Sequence, residues 1–293
     1  MACGIIGVVA RKYGSFNVRV SEIVRKGLEK LEYRGYDSVG IATICEGGIV
    51  VRKGKGKISE VNRRVRLDEI AGLTAIGHTR WATHGAPSDI NAHPHTDCKG
   101  RVAIVHNGII QNYLELKKML KEKGHVFRSE TDSEVLAHLI EVFLDEGFDA
   151  FTAFKKALEK IKGSYAFGVV IRDEPDKIFF ARKDSPLVIG IGKNMNFIAS
   201  DIPAFLDYTR TIIIVYDGER GYITASTIYL EDENGRAVEI EKRIRKVDWT
   251  PDMAKKEGYP HFMIKEIMEQ KETIMRAINQ DDKEIEKIAN KIN

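Results

Sequence analysis

Cysteine is scarce in this chain: three residues in 293, at Cys3, Cys45 and Cys98. Three cannot build a disulfide framework, and none belongs to a Cys-x-x-Cys pair. Charge of one sign is missing as well. The chain has 46 basic and 43 acidic residues, a net charge of +3, too balanced to argue for a nucleic-acid or membrane partner. Long apolar runs are also absent. None approaches the ~18 residues of a membrane span, and runs such as Ile212 to Tyr216 are strand-sized. No basic segment followed by a signal-like apolar stretch opens the sequence. These absences lead us to expect a cytoplasmic protein. The basic cluster at Arg52, Lys53, Lys55 and Lys57 reads as a solvated turn. His93-Pro94-His95, with His78, His84 and His106, invites a metal reading. No second ligand pair at zinc-like spacing supports it, so neither a metal nor an organic cofactor is expected.

The apolar pattern that is present alternates in period. Short runs at Gly4 to Ala10, Val39 to Cys45, Ile49 to Arg52, Thr74 to Thr79 and Val102 to Val105 read as strands. Between the first two, Val20, Ile23, Val24, Gly27, Leu28 and Leu31 recur at helical spacing and share one face. Asn112 with Glu115, and Thr131 with Glu134, form candidate capping boxes for two further helices, with Gly124 a natural stop for the first. A helix is expected near Asp149 to Lys162. From Gly163 to about Arg245 the chain reads almost entirely as strand: Tyr165 to Arg172, Ile178 to Arg182, Leu187 to Ile191, Phe197 to Ser200, Thr211 to Tyr216 and Tyr222 to Leu230. Asn234-Gly235 marks a hairpin turn. This order predicts an α+β fold of antiparallel sheets with helices packed on their outer faces. Residues 3–248 read as one domain. Residues 249–293 read as a linker and a helix-prone tail without a core of its own.

Several residues in the first half could together hydrolyse the side-chain amide of glutamine. A cysteine whose own α-amine is free carries a nucleophile and a base on one residue, because that amine titrates near neutrality. Cys3, in Cys3-Gly4-Ile5-Ile6-Gly7, is the candidate. Asn107 and Gly108, at the end of a buried strand, can offer a side-chain NH2 and a backbone N–H to an oxyanion. Arg80, in the run Gly77-His78-Thr79-Arg80-Trp81-Ala82-Thr83-His84-Gly85, can fork onto a carboxylate. Thr83 and His84 add donors, and Trp81 could cover the site. Asp132 can hold an ammonium. Each residue alone has an ordinary structural explanation: an incidental cysteine, a turn, a surface arginine, a helix-start carboxylate.

Taken in order and with their neighbours, these residues resemble the class II glutamine amidotransferases, which are N-terminal-nucleophile hydrolases. Within that family they are similar to the glutaminase halves of the glucosamine-6-phosphate synthases. Further runs carry the resemblance: Leu31-Glu32-Tyr33-Arg34-Gly35-Tyr36-Asp37-Ser38, Asn91-Ala92-His93-Pro94-His95, Val105-His106-Asn107-Gly108-Ile109-Ile110, Ser129-Glu130-Thr131-Asp132, Ser185-Pro186-Leu187-Val188-Ile189-Gly190 and Phe197-Ile198-Ala199-Ser200-Asp201. It extends from residue 3 to about residue 270. It implies a four-layer αββα sandwich, with Cys3 as nucleophile and Asn107 and Gly108 as oxyanion donors. Arg80, Trp81, Thr83, His84, Gly108 and Asp132 would bind glutamine, and Trp81 would also gate the ammonia path. Tyr33 and Arg34 would lie in the loop that couples the glutaminase to its partner domain. The implied partners are L-glutamine and a sugar-isomerising domain that takes the ammonia to make glucosamine 6-phosphate from fructose 6-phosphate. A homodimer is left open.

Two features depart from the family pattern. Met1-Ala2 precedes the cysteine, and with Ala2 in place the nitrogen of Cys3 is an amide, which is not a useful base. The expectation is a chain severely impaired unless Ala2 is removed. The chain also stops at Asn293 without sugar-phosphate loops, so the sugar product is not expected from it alone. A smaller departure is Lys271, where proline is expected. The rival function is a non-catalytic regulatory module that holds glutamine without turning it over.

Overall fold

The computed structural model describes residues 3–11 and 19–248, with residues 264, 267–270 and 274. The chain divides into two compact units, Met1–Asp248 and Trp249–Asn293. In the second, the described residues are helical. Ala2, the linker residues 249–260 and Lys271 lie outside the described residues.

Among the described residues, fourteen strands build the first unit: β1 (Gly4–Ala10), β2 (Ser38–Cys45), β3 (Gly48–Lys55), β4 (Thr74–Arg80), β5 (His95–Thr96), β6 (Val102–Ile110), β7 (Gly163–Ile171), β8 (Ile178–Lys183), β9 (Val188–Ile191), β10 (Met195–Ala199), β11 (Thr211–Ile214), β12 (Arg220–Ile223), β13 (Ile228–Glu231) and β14 (Arg245–Lys246). They form two antiparallel sheets, ordered β14-β11-β9-β10-β1-β4-β2-β3 and β13-β12-β8-β7-β6-β5. Five α-helices flank them: α1 (Val20–Lys30), α2 (Ile58–Val65), α3 (Tyr113–Glu122), α4 (Glu134–Asp145) and α5 (Ala150–Glu159).

The period of two along β1 explains the layering. Ile5 and Val9 point into the space between the sheets, against Val105, Ala166 and Phe180. Ile6, Val8 and Ala10 point the other way, onto Val20, Val24 and Leu28 of α1. The outer face of the smaller sheet does the same. Ile104, Phe167 and Val169 pack on Leu116 of α3, Val135 of α4 and Phe154 of α5. The result is four layers, helix–sheet–sheet–helix, as the α+β expectation required. A strand buried on both faces has no polar face to show, so β1 and the first half of β6, Val102 to Val105, read as unbroken apolar runs. No helix among the described residues is long and apolar enough to cross a membrane.

Several local expectations need correction. Asn112 caps nothing: its amide donates to Lys160 O (2.9 Å) and accepts from Lys162 N (2.9 Å), tying the start of α3 to the end of α5. Thr131 does not open α4, which starts at Glu134. Glu134 instead reaches back to the N–H groups of Arg128 (2.7 Å) and Ser129 (2.6 Å). Asp149 does cap α5, accepting from Phe151 N and Thr152 N. Tyr222 to Leu230 is not one strand but the hairpin of β12 and β13. The helix α2 was not anticipated. Lys53 is not a solvated turn residue: its ammonium donates to the carbonyls of Ile90 (3.0 Å), Ala92 (2.7 Å) and Pro94 (3.0 Å). Burial brings its pKa down to about 8.

Candidate active site

The sheet register gathers the site at one end of the sandwich. β1 and β4 are central antiparallel neighbours, with Gly4 opposite Thr79. Cys3, one residue before Gly4, therefore meets the chain just past Thr79. The Trp81 N–H donates to Cys3 Sγ at 3.2 Å, and the thiol faces Trp81 O at 3.6 Å. From the facing sheet, β6 supplies Asn107, whose Nδ2 donates to Cys3 O at 2.7 Å. Asn107 and Gly108 lie inside β6, which continues to Ile110, rather than in a turn after it. Gly108 has φ of 135°, and a Cβ there would lie 2.1 Å from Ser164 O, so the strand requires glycine at this point.

Cys3, Arg80, Trp81, Thr83, His84, Asn107, Gly108 and Asp132 line one cavity of about 230 Å³. That is smaller than the ~300–1,000 Å³ of drug-sized clefts and suits a single amino acid. Every proposed catalytic and glutamine-binding residue is thus in one place. Tyr33 and Arg34 are not in its lining, yet they are adjacent to it. Arg34 Nε donates to Cys3 O (3.1 Å), and both side chains engage the Asp201 carboxylate.

The cavity is polar at two ends. Arg80 is buried at 4% exposure. Its Nη2 donates to the carbonyls of His84 and Gly85, while its Nη1 is buried without a partner among the described residues. A buried guanidinium with an unused edge is a site for a carboxylate. Asp132, 3% exposed, accepts from Ile110 N through Oδ2 (2.7 Å) and from Ser133 Oγ through Oδ1 (3.3 Å). A carboxylate held this way can face an ammonium. The opposed charges match the two ends of an α-amino acid. Asp37 braces the wall: it accepts from the N–H of Ala82 and, at 2.8 Å, from Ser38 Oγ. Asn91 bridges to Ala86 O and Glu130 Oε2, both at 2.9 Å.

Histidine does structural work that sequence reasoning missed. His78 Nε2 lies 2.9 Å from His106 O and 3.0 Å from Asn107 Oδ1. A carbonyl oxygen only accepts, so Nε2 carries the proton and donates to both. That fixes Asn107 with its oxygen toward His78 and its NH2 toward Cys3. Burial holds His78 neutral, its pKa down to about 3. His93 and His95 are likewise held well below the usual histidine range, chiefly by burial, with the Arg80 cation acting in the same direction. His93 stacks on His78 with centroids 4.3 Å apart. These rings form a neutral wall; the metal once suggested by His93-Pro94-His95 has no gathered donor set there among the described residues. A lone histidine in the middle of a strand carries no spacing signal, so His78 was named only as a possible metal ligand and not as the residue that orients Asn107.

Burial pushes the Cys3 thiol above its usual pKa; the Trp81 N–H and Arg80 oppose the shift, and Asp37 adds to it. The resting sulfur is therefore protonated and needs a base. Its hydrogen-bond partners are both backbone groups of Trp81. The described side chains place no imidazole or carboxylate in hydrogen-bond reach of it.

The layered fold and a cysteine at the head of β1 define an N-terminal-nucleophile hydrolase. Residues 78–207 match the family described as a glutamine amidotransferase domain. The chain is 53% identical, over 98% of its length, to the glutamine–fructose-6-phosphate aminotransferase [isomerizing] of Sulfurisphaera tokodaii, covering 49% of that protein. It is 50% identical to the protein of the same name from Sulfolobus acidocaldarius, over 94% of this chain and 46% of that one. Among solved structures, a glutamine phosphoribosylpyrophosphate amidotransferase from B. subtilis, complexed with ADP and GMP, superposes with a TM-score of 0.66. It is 29% identical and covers 78% of this chain and 49% of that one. The chain belongs to the class II glutamine amidotransferases, as their glutaminase domain. It spans about half the length of the curated relatives it matches.

Proposed function

We propose that this domain hydrolyses L-glutamine to glutamate and ammonia through a thioester on Cys3. In the longer enzyme the ammonia passes to a sugar-isomerising domain that converts fructose 6-phosphate to glucosamine 6-phosphate. The observation that carries the reading is the placement of Cys3 Sγ in one cavity with the unused edge of Arg80, the Asp132 carboxylate and the Asn107 amide. Arg80 takes the substrate's carboxylate and Asp132 its ammonium, which presents the side-chain amide to the sulfur. The α-amine of Cys3 accepts the thiol proton. Sulfur attacks the amide carbon, and the oxygen becomes an anion facing Asn107 Nδ2 and the Gly108 N–H. The protonated amine then gives its proton to the departing nitrogen, and ammonia leaves. Water adds to the thioester, the C–S bond breaks, and glutamate and the thiol are restored. The amine exists only in a chain whose first residue is Cys3, so the form that retains Ala2 is the impaired one.

Arg34 and Tyr33 support a coupling role for their loop, because Arg34 touches the same Cys3 carbonyl that Asn107 touches. Displacement of that loop would be felt at the nucleophile. Trp81 is suited to gate the exit, its ring edge-on to Tyr36 with centroids 5.4 Å apart.

The test is labelling with a glutamine-like electrophile, followed by peptide mass spectrometry. The chain starting at Cys3 should be labelled at Cys3, and free glutamine should protect it. Label confined to Cys45 or Cys98 would overturn the assignment. Protection by glutamine with no glutamate formed would favour a binding module.

A further inference from the structure

A second cluster of reactive side chains lies outside the Cys3 cavity, on the outer side of the smaller sheet. Cys98 sits in the turn between β5 and β6, His125 in the loop after α3, and His138 and Glu141 three residues apart on α4. We propose that Cys98, His125, His138 and Glu141 form a structural site for a divalent transition metal ion, with zinc the best match.

Distances carry the argument. With Zn–S of ~2.3 Å and Zn–N or Zn–O of ~2.0–2.1 Å, neighbouring donors in a tetrahedral site are ~3.3–3.6 Å apart. Cys98 Sγ lies 3.6 Å from His138 Nδ1 and 3.8 Å from His125 Nδ1. Glu141 Oε2 lies 3.4 Å from His138 Nδ1 and 2.9 Å from His125 Nδ1. All four donor atoms fall within 4.8 Å of one another. Three chain segments thus bring one donor atom each, or two in the case of α4, close enough to share one ion after small shifts, the His125–Glu141 pair at 2.9 Å being the one that must open.

The protons point the same way. On its far side His138 presents Nε2 to Glu134 Oε1 at 3.5 Å. A metal on Nδ1 would leave the hydrogen on Nε2, facing the Glu134 carboxylate, which the N–H groups of Arg128 and Ser129 hold. In the neutral ring Nδ1 is then a bare lone pair, directed at the Cys98 sulfur and the Glu141 carboxylate. The carboxylate–histidine–metal arrangement is the usual way of orienting a ligating imidazole. A thiolate and a carboxylate would also neutralise the two charges of the ion, which a site this buried requires: the side chains of His138 and Glu141 are 0% and 2% exposed. A sulfur, two imidazoles and one carboxylate suit zinc over magnesium or calcium.

With four protein donors the site is closed and has no position for a substrate. Its role is to staple the β5–β6 turn and the α3–α4 connection to α4. The sequence did not show it because the ligands are separated by 27, 13 and 3 residues, so that His138 and Glu141 form one short-spaced pair with no second pair to match it. None of the four lines the Cys3 cavity.

The experiment uses the full 293-residue chain, stripped with a chelator and titrated with Zn2+ against a chromophoric competitor. One equivalent should bind, and the melting temperature should rise. Co2+ in its place should give the intense thiolate-to-metal absorption of a tetrahedral site. Cys98→Ser should abolish that absorption and weaken Zn2+ binding by more than the ~10–100-fold that loss of an outer-shell partner costs. His125→Gln, at the rim of the cluster with 12% of its side chain exposed, gives the same test without a buried replacement. Cys3→Ala should retain the ion. Absence of stoichiometric binding, or binding unchanged in Cys98→Ser and lost in Cys3→Ala, would overturn the proposal.

Discussion

His78 Nε2 donates to Asn107 Oδ1 across the two sheets at 3.0 Å, and this bond decides which way the Asn107 amide faces. An inverted amide would present oxygen to a developing oxyanion and repel it. The link runs from β4 to β6, from the strand that carries Arg80 to the strand that carries the oxyanion donors.

Replacing His78 should therefore damage turnover more than binding. For His78→Ala in the Cys3-initiated chain we expect kcat for glutamate release to fall by about 10²–10³, the cost of one oxyanion donor, with a smaller change in KM. His78→Gln, which retains an N–H donor, should recover part of the loss. Steady-state kinetics beside thermal melts separate this from a folding defect. An unchanged kcat in His78→Ala would show that Asn107 is oriented by other means.

Arg80 offers the complementary split. Lysine keeps the charge and loses the fork. Arg80→Lys should raise KM for glutamine by about 10–100-fold, the equivalent of one or two charge-assisted hydrogen bonds, while kcat changes less. Equal affinity in the two proteins, measured by glutamine protection against labelling, would remove Arg80 from the carboxylate site.

Acid should unfold the domain in part through Glu134. Burial alone would raise its pKa, but the nearby His138 ring and hydrogen bonds from Arg128 and Ser129 bring it down to about 2 from a usual 4.5. The folded carboxyl therefore holds its proton less tightly than the unfolded one. Its contribution is complete above pH 4.5 and is lost as the pH falls toward 2, on the order of 3 kcal/mol in all. His78 loses stability in the same direction below 6.5, but it is common to both proteins compared. Urea unfolding of Glu134→Gln should show a shallower loss of stability between pH 4.5 and 2.5 than the parent. Parallel curves would contradict this assignment.

Much of this was legible in the chain, and for identifiable reasons. β1 and the Val102 to Val105 half of β6 are buried on both faces, so their apolar runs could not be confused with solvent-facing strands. The site residues fall within short runs, Thr79-Arg80-Trp81 at the end of β4 and His106-Asn107-Gly108 inside β6, so local sequence carried them together. What stayed hidden depends on partners distant in sequence. Asn112 looked like a cap because of Glu115, yet its amide is spent on Lys160 and Lys162. Lys53 looked solvated because its neighbours are basic, yet three carbonyls from 37 to 41 residues away enclose it. The helix α2, Ile58–Val65, buries only Ile58 and Val61, too few to announce a helical face. His78 faces Asn107 only because two sheets stack.

The most direct test of the central claim compares glutamate release by two chains, one retaining Ala2 and one beginning at Cys3. The amine of Cys3 is assigned as the base for its own protonated thiol. The account predicts turnover in the Cys3-initiated chain and a loss of about 10²–10⁴-fold, the usual worth of a positioned base, when Ala2 is retained. Mass spectrometry of both chains verifies their first residue. Equal activity from two chains verified in this way would contradict the claim.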